Sequence, residues 1–574
     1  MAGGALLLAS VATGWVLLRR DSFWRNPLAD ARFQSVTDFG GTEQAAAVSR
    51  DGRFVAFLSD RDGRMDVWVT QVGTGQFYNL TRGRVAELVN PSVRTLGFSP
   101  DGALVTFWAR GVEGSNVREI GIWAVPTLGG QPRPYLEGAA EYDWSGDGAR
   151  LAFHTPGPGD PMFVRVSGQR VDGPPVFSAA AGLHGHFPLW SRDGSLIYFV
   201  QGTLPDSMDI WRIPPTGGAA ERITRHNSRV SHPVLLDQRT LAYLATDGEG
   251  AGPWLHSIDV ERRVPHRLGA ALERYTSLAA SADGRRLVAT RANPRGTLWR
   301  LPIADTPASA SQATPISLTT SRGFSPRLGP GYLLYVSSKG TSDGIWKLAE
   351  GAPAELWSAP EARVIGGPEV APAGERVAFS VEQRGRTLLY VVNADGTNAK
   401  ALTESLPLRG GPAWAPDGRS ITSAVVVDGT PQLHRISLDG SSERIVQEYS
   451  VDPAWSPGGD FLVYSGADVG TRFAVKAVTA AGQSHPFPTL ALSRGGRRVR
   501  FVHGRRALVV LRGGIQHKDL WLIDLETGGE RQLTALPPDF NVLDFDISPD
   551  GREAVLERVQ DRSDIVLVDL PRRD

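Results

Sequence analysis

Four of the eleven histidines in this 574-residue chain fall in two short stretches, His184-Gly-His186 and His226 with His232. Imidazoles gathered in this way can ligate Zn²⁺ or another divalent cation. No carboxylate stands beside them in the sequence, so packing of His186-Phe-Pro and His232-Pro against backbone is the plainer use of the same residues. The chain has no cysteine, which excludes disulfides, thiolate catalysis and Cys-type zinc sites together. Gly340-Thr-Ser-Asp-Gly344 matches a nucleophile elbow in letters only. It lies between the strand-like runs Tyr335-Val-Ser and Ile345-Trp346, where that chemistry needs a strand-to-helix turn. Asp60-Arg-Asp-Gly63 with Asp66 lacks the later positions and terminal Glu of a calcium loop and reads as a turn. No catalytic constellation is recognisable.

The elements that must position these residues are strands. Ser49 to Thr81 reads as alternating apolar runs broken by Asp51-Gly52, Asp60-Arg-Asp-Gly63 and Val72-Gly-Thr-Gly75, which is a short antiparallel sheet. Its opening turn returns as Ser99-Pro-Asp-Gly102, Ser145-Gly-Asp-Gly148, Ser191-Arg-Asp-Gly194, Ser281-Ala-Asp-Gly284, Ala415-Pro-Asp-Gly418, Ser456-Pro-Gly-Gly459 and Ser548-Pro-Asp-Gly551. Weaker copies lie near Asp237, Pro330, Ala373 and Gly504. The step, about 41 to 50 residues, is that of propeller blades. A second mark, Asp before an apolar or aromatic pair, falls on the third strand: Asp66-Val-Trp68, Asp209-Ile-Trp211, Asp519-Leu-Trp521. The expected fold is all-β: tandem β-propellers of about twelve four-stranded blades, divided between two six-bladed rings. Lys+Arg and Asp+Glu balance at 61 each, so no global field recruits nucleic acid.

In such a ring the connection into each innermost strand opens beside the axis, so residues about 45 apart in sequence become neighbours. Seven to nine residues before each turn the first ring carries Glu43, Arg94, His184 with His186, Arg229 and Tyr275, with Glu141 a weak member. The second ring carries Ile365, Arg409, Ser450 and Val542 and is blander. A ligand mouth is therefore expected on the first ring, formed by Glu43, Arg94, His184, His186, Arg229, His232 and Tyr275 and suited to a polar ligand or a peptide terminus. A divalent cation there would use His184, His186, His226 and His232; no other cofactor is expected.

Residues 1–18 carry no charged side chain and Arg19-Arg20 follow, so a membrane-spanning helix is expected over 1–20. A linker covers 21–31, a first propeller 32–320 and a second 321–574, with the break near Thr306 to Arg322. Arg32 to Phe39 looks like a fourth strand without the first three. Ile565 to Leu570 looks like a third strand at which the chain stops. The two are expected to pair, because an open ring leaves strand edges unpaired.

The SPDG-type turns, the SDRDG turn and the D-x-W strands resemble the repeats of the TolB family of WD40-like propellers, over about residues 32 to 574. The resemblance implies a non-catalytic binding module, scaffold or sensor for a protein or envelope-derived ligand. Such arrays also form the extracytoplasmic part of bacterial membrane regulators, behind a kinase or winged-helix domain. That implies a single-pass inner-membrane protein with a periplasmic propeller, although positive-inside reasoning on Arg19-Arg20 points the other way. A propeller enzyme with a His-metal centre in the first ring is the alternative.

Overall fold

The computed structural model describes residues 24–571, apart from 40, 113–119, 168–172, 181, 204–206, 248–251, 269–272, 293–294, 319–322, 340–341, 351, 404–405, 470, 494, 496–498, 515–516, 538–539 and 561–562. The expected membrane helix and its Arg pair lie outside these residues. Among the described residues no helix is long and apolar enough to cross a membrane.

The fold is all-β. Among the described residues the strands form thirteen sheets, mostly four-stranded; one is a two-stranded ladder, Ala308–Ser309 against Thr534–Ala535. Turn chemistry explains the repeat. Ser49 Oγ donates to Asp51 Oδ1 (2.6 Å) and accepts from Phe54 N, Asp51 Oδ1 accepts from Arg53 N, and Gly52 takes φ 73°. The serine hydroxyl, with that amide, holds the Asp51 carboxyl below its ordinary range. The same Ser-to-Asp bond recurs at Ser99, Ser145, Ser191, Ser281 and Ser548.

The Asp of the third strand has a different task. Asp66 accepts from Thr81 Oγ1 and Gly83 N, while Thr81 Oγ1 accepts from Val67 N. Asp209 with Thr224 and Asp519 with Thr534 repeat this clasp. It ties the outermost strand to the third and launches the chain toward the next blade.

The innermost strands Glu43–Val48, Leu96–Phe98, Glu141–Trp144, His184–Trp190, Val230–Leu235 and Arg274–Ala280 follow one another around a first ring. Phe324–Gly329, Ala362–Val370, Leu408–Trp414, Val451–Trp455, Val499–Phe501 and Asn541–Ile547 do so around a second. Arg110 of the first ring donates to Thr471 of the second.

Closure joins the termini as expected. Arg32–Ser35 pairs antiparallel with the last strand, Arg32 opposite Asp569 and Ser35 opposite Val566. Thr37 Oγ1 accepts from Ile565 N at 2.8 Å, the clasp of an ordinary outer strand. The rest of the closure differs from expectation. Ser563–Asp569 pairs not with the hairpin just before it but with Arg286–Ala292. That hairpin, Asn541–Ile547 with Glu553–Gln560, pairs instead with Arg295–Pro302. The sheets therefore do not divide at 320 and 321: residues 295–302 and 314–315 lie with the second ring and 563–569 with the first. In each of the two runs, Arg286–Pro302 and Glu553–Asp569, two residues separate strands that look like hairpin partners. The partners have been exchanged between rings.

Candidate functional site

Most innermost strands carry a β-bulge near their start. Register shifts fall between Gln44 and Ala47, His186 and Leu189, Ser231 and Val234, Phe324 and Arg327, and Val451 and Ala454. At each of these bulges one residue takes positive φ: Ala45 (53°), Phe187 (58°), His232 (51°), Ser325 (50°) and Asp452 (52°). The last four precede proline. A bulge leaves backbone groups without a ladder partner and re-aims the side chains before it. Acidic residues and arginines take up backbone groups at and around the starts of these strands. Glu141 accepts from Arg94 N and from Phe187 N, and Asp143 accepts from Trp190 N at 2.8 Å. Arg94 reaches across two blades, its Nη1 to Pro188 O and its Nη2 to Pro233 O, both at 3.1 Å.

Inside these bulges lies the axial channel of the first ring, a cavity of about 410 Å³ walled by all six blades. Leu96, Phe98, Trp144 and Trp190 supply apolar surface; Arg50, Arg94, Arg192 and Asp143 supply charge. Arg50 donates to Ser145 O and Gly146 O, and Arg192 Nη2 to Leu236 O at 2.9 Å. Arg192 Nε is buried without an acceptor among the described residues. Burial pushes the Asp143 carboxyl up, against the pull of Arg94.

Of the residues expected at the mouth, Arg94 lines this channel; Glu43, His184, His186, Arg229, His232 and Tyr275 are not among its walls. Arg229 is exposed, its backbone N donating to Thr246 Oγ1. Tyr275 is buried and donates to Glu273. His232 is buried against the Phe187 ring, 4.6 Å between centroids. Burial, helped by Arg94, pushes it down to about 3, so it is neutral at physiological pH. His226 bonds Tyr243 Oη at 2.8 Å and packs on His256. Among the described residues neither His226 nor His232 joins a group of three potential metal donors.

His184 and His186 do join such groups, with partners the sequence reading missed. Asp160, from the tight loop Thr155–Pro161, lies 2.7 Å from His184 Nδ1 and 3.5 Å from His186 Nε2. On the other side His186 Nδ1 lies 3.3 Å from His154 Nε2, which lies 3.3 Å from Glu141 Oε2. Asp160–His184–His186 and Glu141–His154–His186 are the two donor trios. Burial would raise the Asp160 carboxyl, but the His184 hydrogen bond and the neighbouring imidazoles hold it well below its usual range. Burial lowers His154, and Glu141 and Asp160 more than restore it, leaving it raised.

Glu43 sits in the closure seam. Its backbone N donates to Ser563 Oγ, its O accepts from the same hydroxyl, and its carboxylate accepts from Ser59 and Thr37. Burial pushes this carboxyl up to about 7, with Asp564 and Asp60 adding to the effect. The folded state therefore keeps a proton that the unfolded chain releases near pH 4.5, and stability falls as pH rises from there to about 7. Glu43→Gln should abolish that slope. Thermal unfolding midpoints should coincide at pH 4, and at pH 8 the variant should be the more stable by up to roughly 3 kcal/mol. Parallel pH profiles would refute the assignment.

The second ring is not bland at its axis. Arg500 binds Asp546 through Nε and Glu369 through Nη1, both at 2.5 Å, and Arg327 binds Asp544 at 2.9 Å. These charges lie a few residues beyond the positions that the sequence reading compared.

Residues 354–487 match the TolB beta propeller domain. The chain thus carries TolB-like propeller repeats, as the turns and D-x-W strands implied. No curated protein matches it. Similar solved structures include TolB from Acinetobacter baumannii, at 13% identity over 66% of this chain and 81% of that one, TM-score 0.28. The tricorn protease aligns at 13% identity over 91% of this chain and 61% of its own, TM-score 0.33. Puromycin hydrolase aligns at 16% identity over 63% and 56%, TM-score 0.28. At these scores none of the three carries a functional inference.

Proposed function

We propose that the protein is a non-catalytic TolB-like binding module, held at a bacterial inner membrane by residues 1–20, whose first-ring channel receives an anionic end of a protein or envelope-derived ligand. Arg192 carries the reading: its Nε is buried with no acceptor among the described residues, on a side chain that lines the channel together with Arg50 and Arg94. A buried donor left unpaired costs free energy that a bound carboxylate would recover. The tryptophan walls suit the apolar stem of such a ligand.

Full-length protein should stay in alkali-washed membranes. Solubilised in detergent, it should bind short peptides with a free C-terminal carboxylate at least about tenfold more tightly than their amides, one lost charge-assisted contact being worth some 1.4 kcal/mol or more. Arg192→Gln should remove that preference, as should Arg94→Ala if its blades stay folded. Equal binding of free and amidated peptides by the wild-type chain would overturn the channel reading.

A further inference from the structure

The histidine cluster beside the channel is a second site and does not depend on the first. We propose that Asp160, His184 and His186 bind a divalent transition-metal cation of the zinc class, with His154 and Glu141 as the supporting shell.

The donors come from two neighbouring blades and are held in place by their own backbones. Asp160 takes φ 42° at the end of a loop whose Gly159 takes φ 75°. A Cβ on Gly159 would lie 2.2 Å from Ala179 O, so only glycine fits there. Gly159 O accepts from Ala179 N, which pins the loop beneath the first turn of the next blade. The aspartate thereby enters the space in front of two imidazoles that lie near-parallel, 9° apart in plane with centroids 5.7 Å apart.

Donor spacing fits a cation. Around Zn²⁺ at bond lengths of ~2.0–2.1 Å, tetrahedral ligand atoms lie ~3.3 Å from one another. His186 Nε2 and Asp160 Oδ2 are 3.5 Å apart. The shorter 2.7 Å contact from His184 Nδ1 to Asp160 holds a hydrogen bond. On metal entry its proton leaves to solvent and the pair opens to ligand spacing. His186 Nδ1–H then donates to His154 Nε2, the second-ring-nitrogen contact that fixes the tautomer of a ligating histidine; His154 carries its own proton on Nδ1, and Glu141 keeps the Arg94 and Phe187 amides.

Charge points the same way. Asp160 and Glu141 are buried carboxylates among three imidazoles. A dication placed among them would balance both carboxylates at one point. His184 is 13% exposed and gives the cation its way in. Two imidazoles with one carboxylate favour zinc, nickel or cobalt over magnesium and calcium and leave coordination positions open.

Full-length protein stripped with a chelator and titrated with ZnCl₂ should take up about one equivalent at submicromolar affinity, and CoCl₂ should give a visible ligand-field band. His184→Ala and Asp160→Asn should each weaken zinc binding at least roughly 100-fold, and His154→Gln by roughly 10- to 100-fold. His226→Ala, outside both donor trios, should bind as the wild type does. Absence of zinc binding by the wild type, or wild-type affinity in folded His184→Ala, overturns the site, as does equal binding of MgCl₂. His184 is at the surface of the cluster, so that variant decides if Asp160→Asn fails to fold.

Discussion

A chain ending at residue 562 should be unable to keep its first ring closed. The lost strand fills the third position of a blade whose two inner strands lie near the middle of the sequence and whose outer strand is at the N-terminus. Ile565, Val566, Leu567 and Val568 are all buried. Removing them forfeits on the order of 6 kcal/mol or more, which rivals the total stability of a domain. It also bares Arg286–Ala292 as an open edge, a template for association with other chains. Light scattering should show oligomers. Hydrogen exchange should show lost protection across 32–292, with 295–560 still protected. A monomeric truncation with unchanged protection in 32–292 would sink the closure argument.

Asp546→Ala should cost the second ring about 3–5 kcal/mol, the range for breaking a buried ion pair. Asp546 is fully buried; its Oδ1 meets Arg500 Nε and its Oδ2 accepts from the innermost-strand amide of Leu328 at 2.8 Å. Truncation strands both the guanidinium and the amide. The two arginines with Glu369, Asp544 and Asp546 bridge four blades, so the loss should spread round the ring. Asp546→Asn keeps an acceptor for Leu328 and should fall between the two. Chemical denaturation of the region 295–560, followed by exchange, would measure this; a loss below about 1 kcal/mol would show that the network is exposed to water and weak.

The repeat was legible because it rests on local chemistry. A Ser-x-Asp-Gly turn and a D-x-W strand with its Thr partner are set by hydrogen bonds within a few residues or one blade, and so they recur as letters. Pairing of Arg32–Ser35 with the last strand was legible for the same reason: Thr37 stands to Ile565 as Thr81 does to Val67. The exchange between rings was not, since two residues between strands are the spacing of an ordinary hairpin. Nor was the site. Equivalent positions in successive blades are expected to converge on the axis, but of those residues only Arg94 lines the channel, and bulges at Phe187 and His232 interrupt the strands there. The carboxylates that meet His184 and His186 come from the neighbouring blade, in Asp160 and Glu141. The proline after Phe187, His232, Ser325 and Asp452 was the signal available for the bulges.

The exchanged strands also set an order of assembly. Every strand of the second ring has been synthesised by residue 560, whereas the first ring waits for 563–569. The segment 295–560 is thus a guest lodged within one hairpin of its host, and its ends leave side by side, Ala292 facing Ser563. On the ribosome the half that emerges later is the half that can finish first. Until then the earlier half persists as an incomplete circle, its Arg286–Ala292 edge exposed for the time taken to make an entire second propeller.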